Sequence, residues 1–427
     1  MEKQMNEMLY GINDKPPINK LILFSIQLLL SVFVATVLIA NICGVSVSGA
    51  LFGAGFSTIF YILATKHSSP MYISNSGAFV APVLMALAIG GYTAVAIGGL
   101  TTCIIYCIFG FIFKRISVEK IYYIFPKALI GSITMVIGIT LMGFISTYIQ
   151  INGDTNIWGI IIALITAFII AIISHYAKGV ARILPFLIGI LCGYLIAVIL
   201  TISNICKIID FSVFNNMRIF SLPDLAFSHW EKIDLIKVLP IIPVYIAFTI
   251  SAIMECLSDH AALSGIIGTD LYKNPGLGRI FIGEGLANIA SSCFGGLGAC
   301  SYGEGVACVG FSRVSSVIVT YFCAFFMILL AFINPIQVFI NSIPSCVFGG
   351  AAIILYGYIA CSGVKMLQNI NLNNQKNLII VSSVLSIGIS GIALGGQTFA
   401  LSGTALALVF GIIINLILKD KEDVNHS

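Results

Sequence analysis

Gly295-Gly-Leu-Gly-Ala-Cys-Ser-Tyr-Gly-Glu-Gly-Val-Ala-Cys-Val-Gly-Phe-Ser-Arg313 holds six glycines in nineteen residues and a single carboxylate, Glu304. Glycine at that density is a poor helix former. The stretch nevertheless lies between long apolar segments that leave it nowhere to sit except at membrane depth. Irregular backbone is tolerated there only where protein or a water-filled cavity surrounds it. That marks the stretch as the first candidate for a binding site.

The surrounding composition agrees. Hydrophobic residues make up 59% of 427, charged residues 9%, and the mean hydropathy is +1.06. Repeated apolar runs of about 20 residues indicate a polytopic helical membrane protein. A membrane β-barrel would show short alternating segments, and these runs are continuous. Residues 1–19 are polar with two prolines and read as a tail rather than a cleaved signal. The twelve cysteines lack metal-type spacing and read as small buried hydrophobes. The expected partners are membrane lipid and a small molecule; no nucleic acid, metal or cofactor is expected, apart from a proton as coupling ion.

Fourteen candidate spans follow, near 20–42, 45–64, 72–89, 92–113, 125–147, 157–177, 181–202, 239–262, 279–294, 300–312, 314–334, 338–361, 377–393 and 399–418. With them, 17 of the 21 Lys and Arg residues fall on one side, and the other four share the loop 203–238. The positive-inside rule then puts both termini in the cytoplasm. The loop divides the chain into 20–202 and 239–418, each with seven spans, and 419–427 is a second cytoplasmic tail. An odd number per half places the halves in opposite orientation, as an inverted repeat. The third segment of each half is broken: Met71-Tyr-Ile-Ser-Asn-Ser-Gly-Ala-Phe-Val-Ala-Pro82, and the region around Tyr302. Each reads as a few extended residues before a half-helix. Matching interrupted segments point to a transporter site near the midplane. Half-helix starts facing one another present free N–H groups and positive dipole ends.

Four acids of 17 lie within or beside apolar spans: Glu255, Asp259, Glu284 and Glu304. An ionisable group there is stable only when paired or protonated, so each is a functional candidate. Glu255 and Asp259 are four apart and share a helix face. Asp259, followed by His260, also fits a residue marking the cytoplasmic end of the eighth span. Glu304 opens the tenth segment, where a capping role is the simpler alternative. Glu284 reads as an interfacial or helix–helix hydrogen-bonding residue, one turn in from Arg279. Asn75 and Ser76 stand at the level of Glu304. Tyr72, Phe79, Tyr302 and Tyr356 are candidates for an aromatic wall, though ordinary packing is the simpler reading of any one of them.

The run Glu255-x-x-x-Asp259-His260, with Asp270-Leu-Tyr-Lys-Asn-Pro-Gly-Leu-Gly-Arg279, Ser301-Tyr-Gly-Glu304 and Ser312-Arg313, resembles the uracil/xanthine permeases of the nucleobase–ascorbate transporter family. The resemblance extends to Gln27, Ser76-Gly-Ala-Phe-Val-Ala-Pro82 and Leu355-Tyr-Gly-x-Ile-Ala-Cys-Ser-Gly363. It implies a core of spans 1–4 and 8–11, a gate of spans 5–7 and 12–14, proton-coupled nucleobase uptake at the bacterial plasma membrane, and frequent homodimers. Glu255 and Glu304 match the family's binding glutamates. Gly303 and Gly77 match positions whose backbone amides face the base. Glu304 is the uracil-type residue, whereas Asp259 stands where uracil types often carry His and purine types Asp. Leu28, Gly305, Ala307 and Ser312 depart from the usual pattern.

The chemistry also fits without the resemblance. A flat, neutral lactam edge alternates N–H donors and C=O acceptors. Carboxylates can accept from the former and half-helix N–H groups donate to the latter. Substrate-binding candidates are therefore Glu255, Glu304, Gly303, Gly77, Tyr302, Ser76 and Asn75. Proton-coupling candidates are Glu255, Glu304 and Asp259, and Tyr356 and Phe79 are candidates for the gate or wall. Uracil leads, with xanthine or urate as the alternative. A same-fold anion transporter or channel is a rival that the carboxylates disfavour. Enzymatic function is not expected, because no Gly-x-Ser-x-Gly elbow or His-rich metal set is present.

Overall fold

The computed structural model describes residues 8–113, 123, 126–143, 145–150, 156–178, 181, 184–215, 217–232, 235–368, 370–392, 394–396, 399–401 and 403–418. The tail 419–427 and the first seven residues lie outside them. The chain is mostly helical. Eight described helices are long and apolar enough to cross a membrane, and three shorter apolar helices accompany them.

The first half contains α1 (Ile18–Cys43), α2 (Val47–Ala64), strand β1 (Ile73–Asn75), α3 (Val80–Phe113), α4 (Lys127–Met142), α5 (Ile157–Tyr176) and α6 (Pro185–Ile202). The second contains α7 (Ile241–Ile267), α8 (Leu277–Ala290), strand β2 (Ala299–Ser301), α9 (Gly303–Ser312), α10 (Val317–Leu330), α11 (Ser345–Leu367), α12 (Gln375–Ile389) and α13 (Gly403–Ile417). Local chemistry sets many of the boundaries. Ser46 caps α2, and Gly44 and Gly268 close α1 and α7 in the left-handed conformation. α3 is broken at Gly90 and Gly91, whose backbone angles leave the helical region between the segments expected at 72–89 and 92–113.

Several expected ends move. α7 continues two turns past Asp259 to Ile267, so Asp259 and His260 do not mark its end. The span expected at 338–361 is a short helix, Asn334–Asn341, followed by α11, because Pro344 forces a new start. The last helix starts at Gly403 rather than 399, because β3 (Leu394–Gly396) and β4 (Phe399–Leu401) pair as an antiparallel ribbon ahead of it.

By packing, the helices fall into two groups. In one, α2 lies on α8 and α10, α3 on α7 and α8, and α1 on α10. In the other, α4 lies on α11 and α12, α5 on α6 and α11, and α12 on α13. Small residues permit the closest approaches. Gly138 of α4 faces the Ala360 backbone of α11, and Gly363 of α11 faces the backbone of Gly131 and Met135.

Two segments outside the long helices strap the first group. At one face Leu9–Ile12 runs beside Arg313–Val317. There Leu9 N bonds Arg313 O at 2.8 Å, Ser315 N bonds Tyr10 O at 2.9 Å and Val317 N bonds Ile12 O at 3.1 Å. Elsewhere the segment before α7 docks through Asp224 N on Ser48 Oγ and Glu231 N on Thr93 Oγ1.

Candidate functional site

β1 and β2 pair antiparallel, with Ile73 opposite Ser301, Ser74 opposite Cys300 and Asn75 opposite Ala299. Backbone bonds extend the pair at each end, from Ser76 N to Gly298 O at 2.9 Å and from Tyr302 N to Tyr72 O at 3.2 Å. The two broken segments are thereby clamped together, and a helix start leaves each.

A two-stranded ribbon buried among helices has two outer edges to satisfy, and neighbouring side chains satisfy them. Thr58 Oγ1 donates to Ile73 O at 2.6 Å and accepts from Ile73 N at 3.1 Å. Thr36 Oγ1 meets Ser74 Oγ at 2.7 Å. On β2, Asn288 Nδ2 donates to Ala299 O at 2.7 Å while its Oδ1 accepts from Ala299 N at 2.9 Å. Asn288, Thr36 and Thr58 were not among the expected site residues. An amide or hydroxyl inside an apolar helix is indistinguishable in sequence from an ordinary helix–helix contact.

The helix starts differ. At the first, Ser76 Oγ accepts from Ala78 N at 3.2 Å, so a side chain already serves that turn. At the second, Tyr302 provides no side-chain cap, and Glu304 lies in the first turn with its carboxyl reaching its own backbone N–H. Among the described residues, α9 therefore retains first-turn N–H groups that no neighbouring side chain caps.

Three carboxyls meet at that start. Glu255 and Asp259 project from one face of α7, one turn apart, and are half-buried. Glu255, Asp259 and Glu304 lie within electrostatic reach of one another. Ser301 Oγ donates to Asp259 Oδ2 at 2.9 Å, and a Cβ added at Gly303 would lie 3.8 Å from Asp259 Oδ1. Glu304 is accessible to water. Glu255, Asp259, Glu304 and Gly303 thus form one cluster.

The other expected residues have different surroundings. The Asn75 side chain is committed to the scaffold, donating to Ala50 O at 3.2 Å and accepting from Ser291 Oγ at 2.9 Å. Tyr302 is buried, with its hydroxyl donating to Asn75 O at 2.7 Å and its ring edge-on to Tyr72. Phe79 is buried and stacked on Tyr245 at 6.3 Å. Gly77 faces Ile359 of α11, where an added Cβ would lie 3.1 Å from Cδ1. Tyr356 is also on α11 and fully buried. Gly77 and its neighbour Ile359 therefore mark the seam between the two helix groups.

Glu284 lies inside the helix packing. It is fully buried, beside the Cys256 thiol and the Ser301 backbone, without a hydrogen bond of standard geometry from its carboxyl oxygens. Cys256, His260 and Glu284 bring ligand-type atoms within 4.8 Å of one another. The His260 ring is already committed on both nitrogens, Nδ1 to Cys256 O at 2.7 Å and Nε2 to the Tyr61 hydroxyl at 2.6 Å. It has no lone pair to spare for a metal.

Residues 19–395 match the family model for xanthine/uracil permeases, described as a permease family. The uracil permease of Bacillus caldolyticus is 31% identical over 426 residues, covering 98% of this chain and 96% of that protein. The uracil permease of Escherichia coli (strain K12) is 32% identical over 422 residues, covering 97% and 95%. Among solved structures, the transmembrane domain of the cyanobacterial bicarbonate transporter BicA superposes with a TM-score of 0.64 at 14% identity, covering 95% of this chain and 99% of that one.

Proposed function

The chain belongs to this family of permeases and is an integral membrane protein, and from that premise we propose that it carries a nucleobase into the cell together with protons. Uracil is the leading substrate, and xanthine or urate the alternative. The observation that carries this reading is the cluster of Glu255, Asp259, Glu304 and Gly303 at a helix start that Tyr302 leaves without a side-chain cap. The carboxyls accept from the ring N–H groups of the base, and the first-turn N–H groups of α9 donate to its carbonyls. A neutral heterocycle suits such a site better than an anion, which three nearby carboxyls would repel. The likeness to BicA therefore bears on fold alone.

We assign the finer architecture as fourteen segments in two inverted sevens, with both termini cytoplasmic in a bacterial plasma membrane. The group built on α1–α3 and α7–α10 is the core that holds the base, and the group built on α4–α6 and α11–α13 is the gate. In this scheme base and proton bind from outside, the core shifts against the gate along the seam at Gly77 and Ile359, and the base leaves inward. Loss of the base frees a carboxyl to release its proton. Homodimerisation is part of the same reading.

The test is uptake of radiolabelled uracil into proteoliposomes under an inward proton gradient, with thymine, xanthine, hypoxanthine and urate as competitors. Accumulation that collapses with the gradient is expected. Uptake of none of these bases above that of empty liposomes overturns the reading.

A further inference from the structure

A recess of about 420 Å³ opens at the N-terminal face of the molecule, away from the three carboxyls. Its walls include Asn13 of the N-terminal strap, Ser68 after α2, Thr269 and Asn274 after α7, and Ser315 after α9. Among the described residues, no acidic or basic side chain lines it. The side chains of Asn13, Thr269 and Asn274 have no hydrogen-bond partner among the described residues. The volume lies in the range of small-molecule sites. Amides and hydroxyls offer donors and acceptors together, as a neutral heterocycle requires.

The position of this recess connects it with the transport site. Thr269 lies two residues beyond the end of α7, the helix that carries Glu255 and Asp259. Ser315 lies three residues beyond the end of α9, the helix that carries Glu304, and its hydroxyl bonds Tyr10 O in the strap. An occupant would therefore touch the trailing ends of both carboxyl-bearing helices. A ligand that prefers one relative placement of two elements shifts the population toward it.

We propose that this recess is a second, regulatory site for a neutral lactam-bearing heterocycle, a nucleobase or its nucleoside, entering from the N-terminal face and restraining α7 against α9. The ligand class rests on the transport reading above; the existence of the site does not. On the topology assigned above this face is cytoplasmic, so the site would report the internal pool and slow further uptake.

The test uses the full-length purified protein, with uracil and uridine as probes. Uridine is expected to raise the melting temperature of the parent and of Glu304→Gln. It should have no effect on Thr269→Leu or Ser68→Leu, two variants on separate walls that uracil still stabilises. In oriented vesicles, uridine on the N-terminal face alone should slow uracil exchange by about fivefold. A recess-dependent shift with uracil but not uridine still supports the site and makes its occupant the free base. The proposal is overturned if neither probe acts through the recess, if the uridine effect disappears in Glu304→Gln, or if uridine acts equally from both faces. The vesicle measurement needs no variant, so a misfolded substitution leaves the proposal testable. Uridine acting through the recess while none of uracil, thymine, xanthine, hypoxanthine and urate is taken up would overturn the transport reading and leave this site standing.

Discussion

Ser301 Oγ donates a 2.9 Å hydrogen bond to Asp259 Oδ2, so the central strand holds the acid on α7 in place. Asp259 is thereby fixed beside Gly303 at the start of α9. If Asp259 reads the base, Asp259→His should shift competition profiles from xanthine toward uracil, and Ser301→Ala should broaden them without lowering the melting temperature by more than the loss of one hydrogen bond, about 1 kcal/mol. Profiles unaltered in both variants would make the pair purely structural.

Glu304→Gln keeps the size and much of the hydrogen-bonding capacity of the side chain while removing its titration. Uracil binding should weaken by about tenfold, the scale of one hydrogen bond to a charged group. Uptake by the parent should rise as external pH falls, and the variant should lose that slope. Equal slopes in proteoliposomes would remove Glu304 from proton coupling.

Asn288 is fully buried and grips Ala299 by both its N–H and its C=O. Asn288→Ala leaves both groups unpaired at membrane depth, at a cost of roughly 2–4 kcal/mol. The variant should melt markedly lower and lose uptake, whereas Asn288→Asp should be milder in uptake than Asn288→Ala. A normal melt for Asn288→Ala would show that the ribbon does not need this clamp.

Gly363→Ala places a methyl group against the backbone of Gly131 and Met135, where α4 and α11 meet. Overpacking there should cost about 1–3 kcal/mol, read as a lower melting temperature with substrate affinity unchanged. Reduced affinity at a normal melt would instead place this contact in the transport movement.

Much of this arrangement was legible in the sequence because its backbone is unusual. Glycine density gave away the segment around Glu304, and Gly90-Gly91 separated two segments inside one apolar run. Buried carboxylates stood out against a background of Ile and Leu. What escaped was chemistry carried by small polar residues. Asn288 and Thr58 hold the ribbon edges and Thr36 holds the Ser74 side chain, yet each resembles a routine helix contact. Asn75 was legible as polar and central, but not the direction of its amide, which depends on Ala50 and Ser291 far away in the chain. Glu284 sits one turn in from Arg279, so position along the helix suggested an interface, whereas its depth follows from how α8 packs against α2 and α3. The later boundaries shifted wherever a proline or a ribbon interrupted a run whose hydropathy alone is continuous.

The pairing of Ile73 with Ser301 also governs how the protein must be made. A nascent chain that has emerged only as far as α6 already contains β1, three residues whose inner edge, the one that faces β2, has no partner until β2 is synthesised. Lipid cannot supply those hydrogen bonds. The third segment of the first half is thus held in an unfinished condition while more than half of the remaining polypeptide is translated. Cutting the gene between α6 and α7 should yield two fragments that are degraded when expressed singly and rescued when expressed together, since each provides the missing strand of the other.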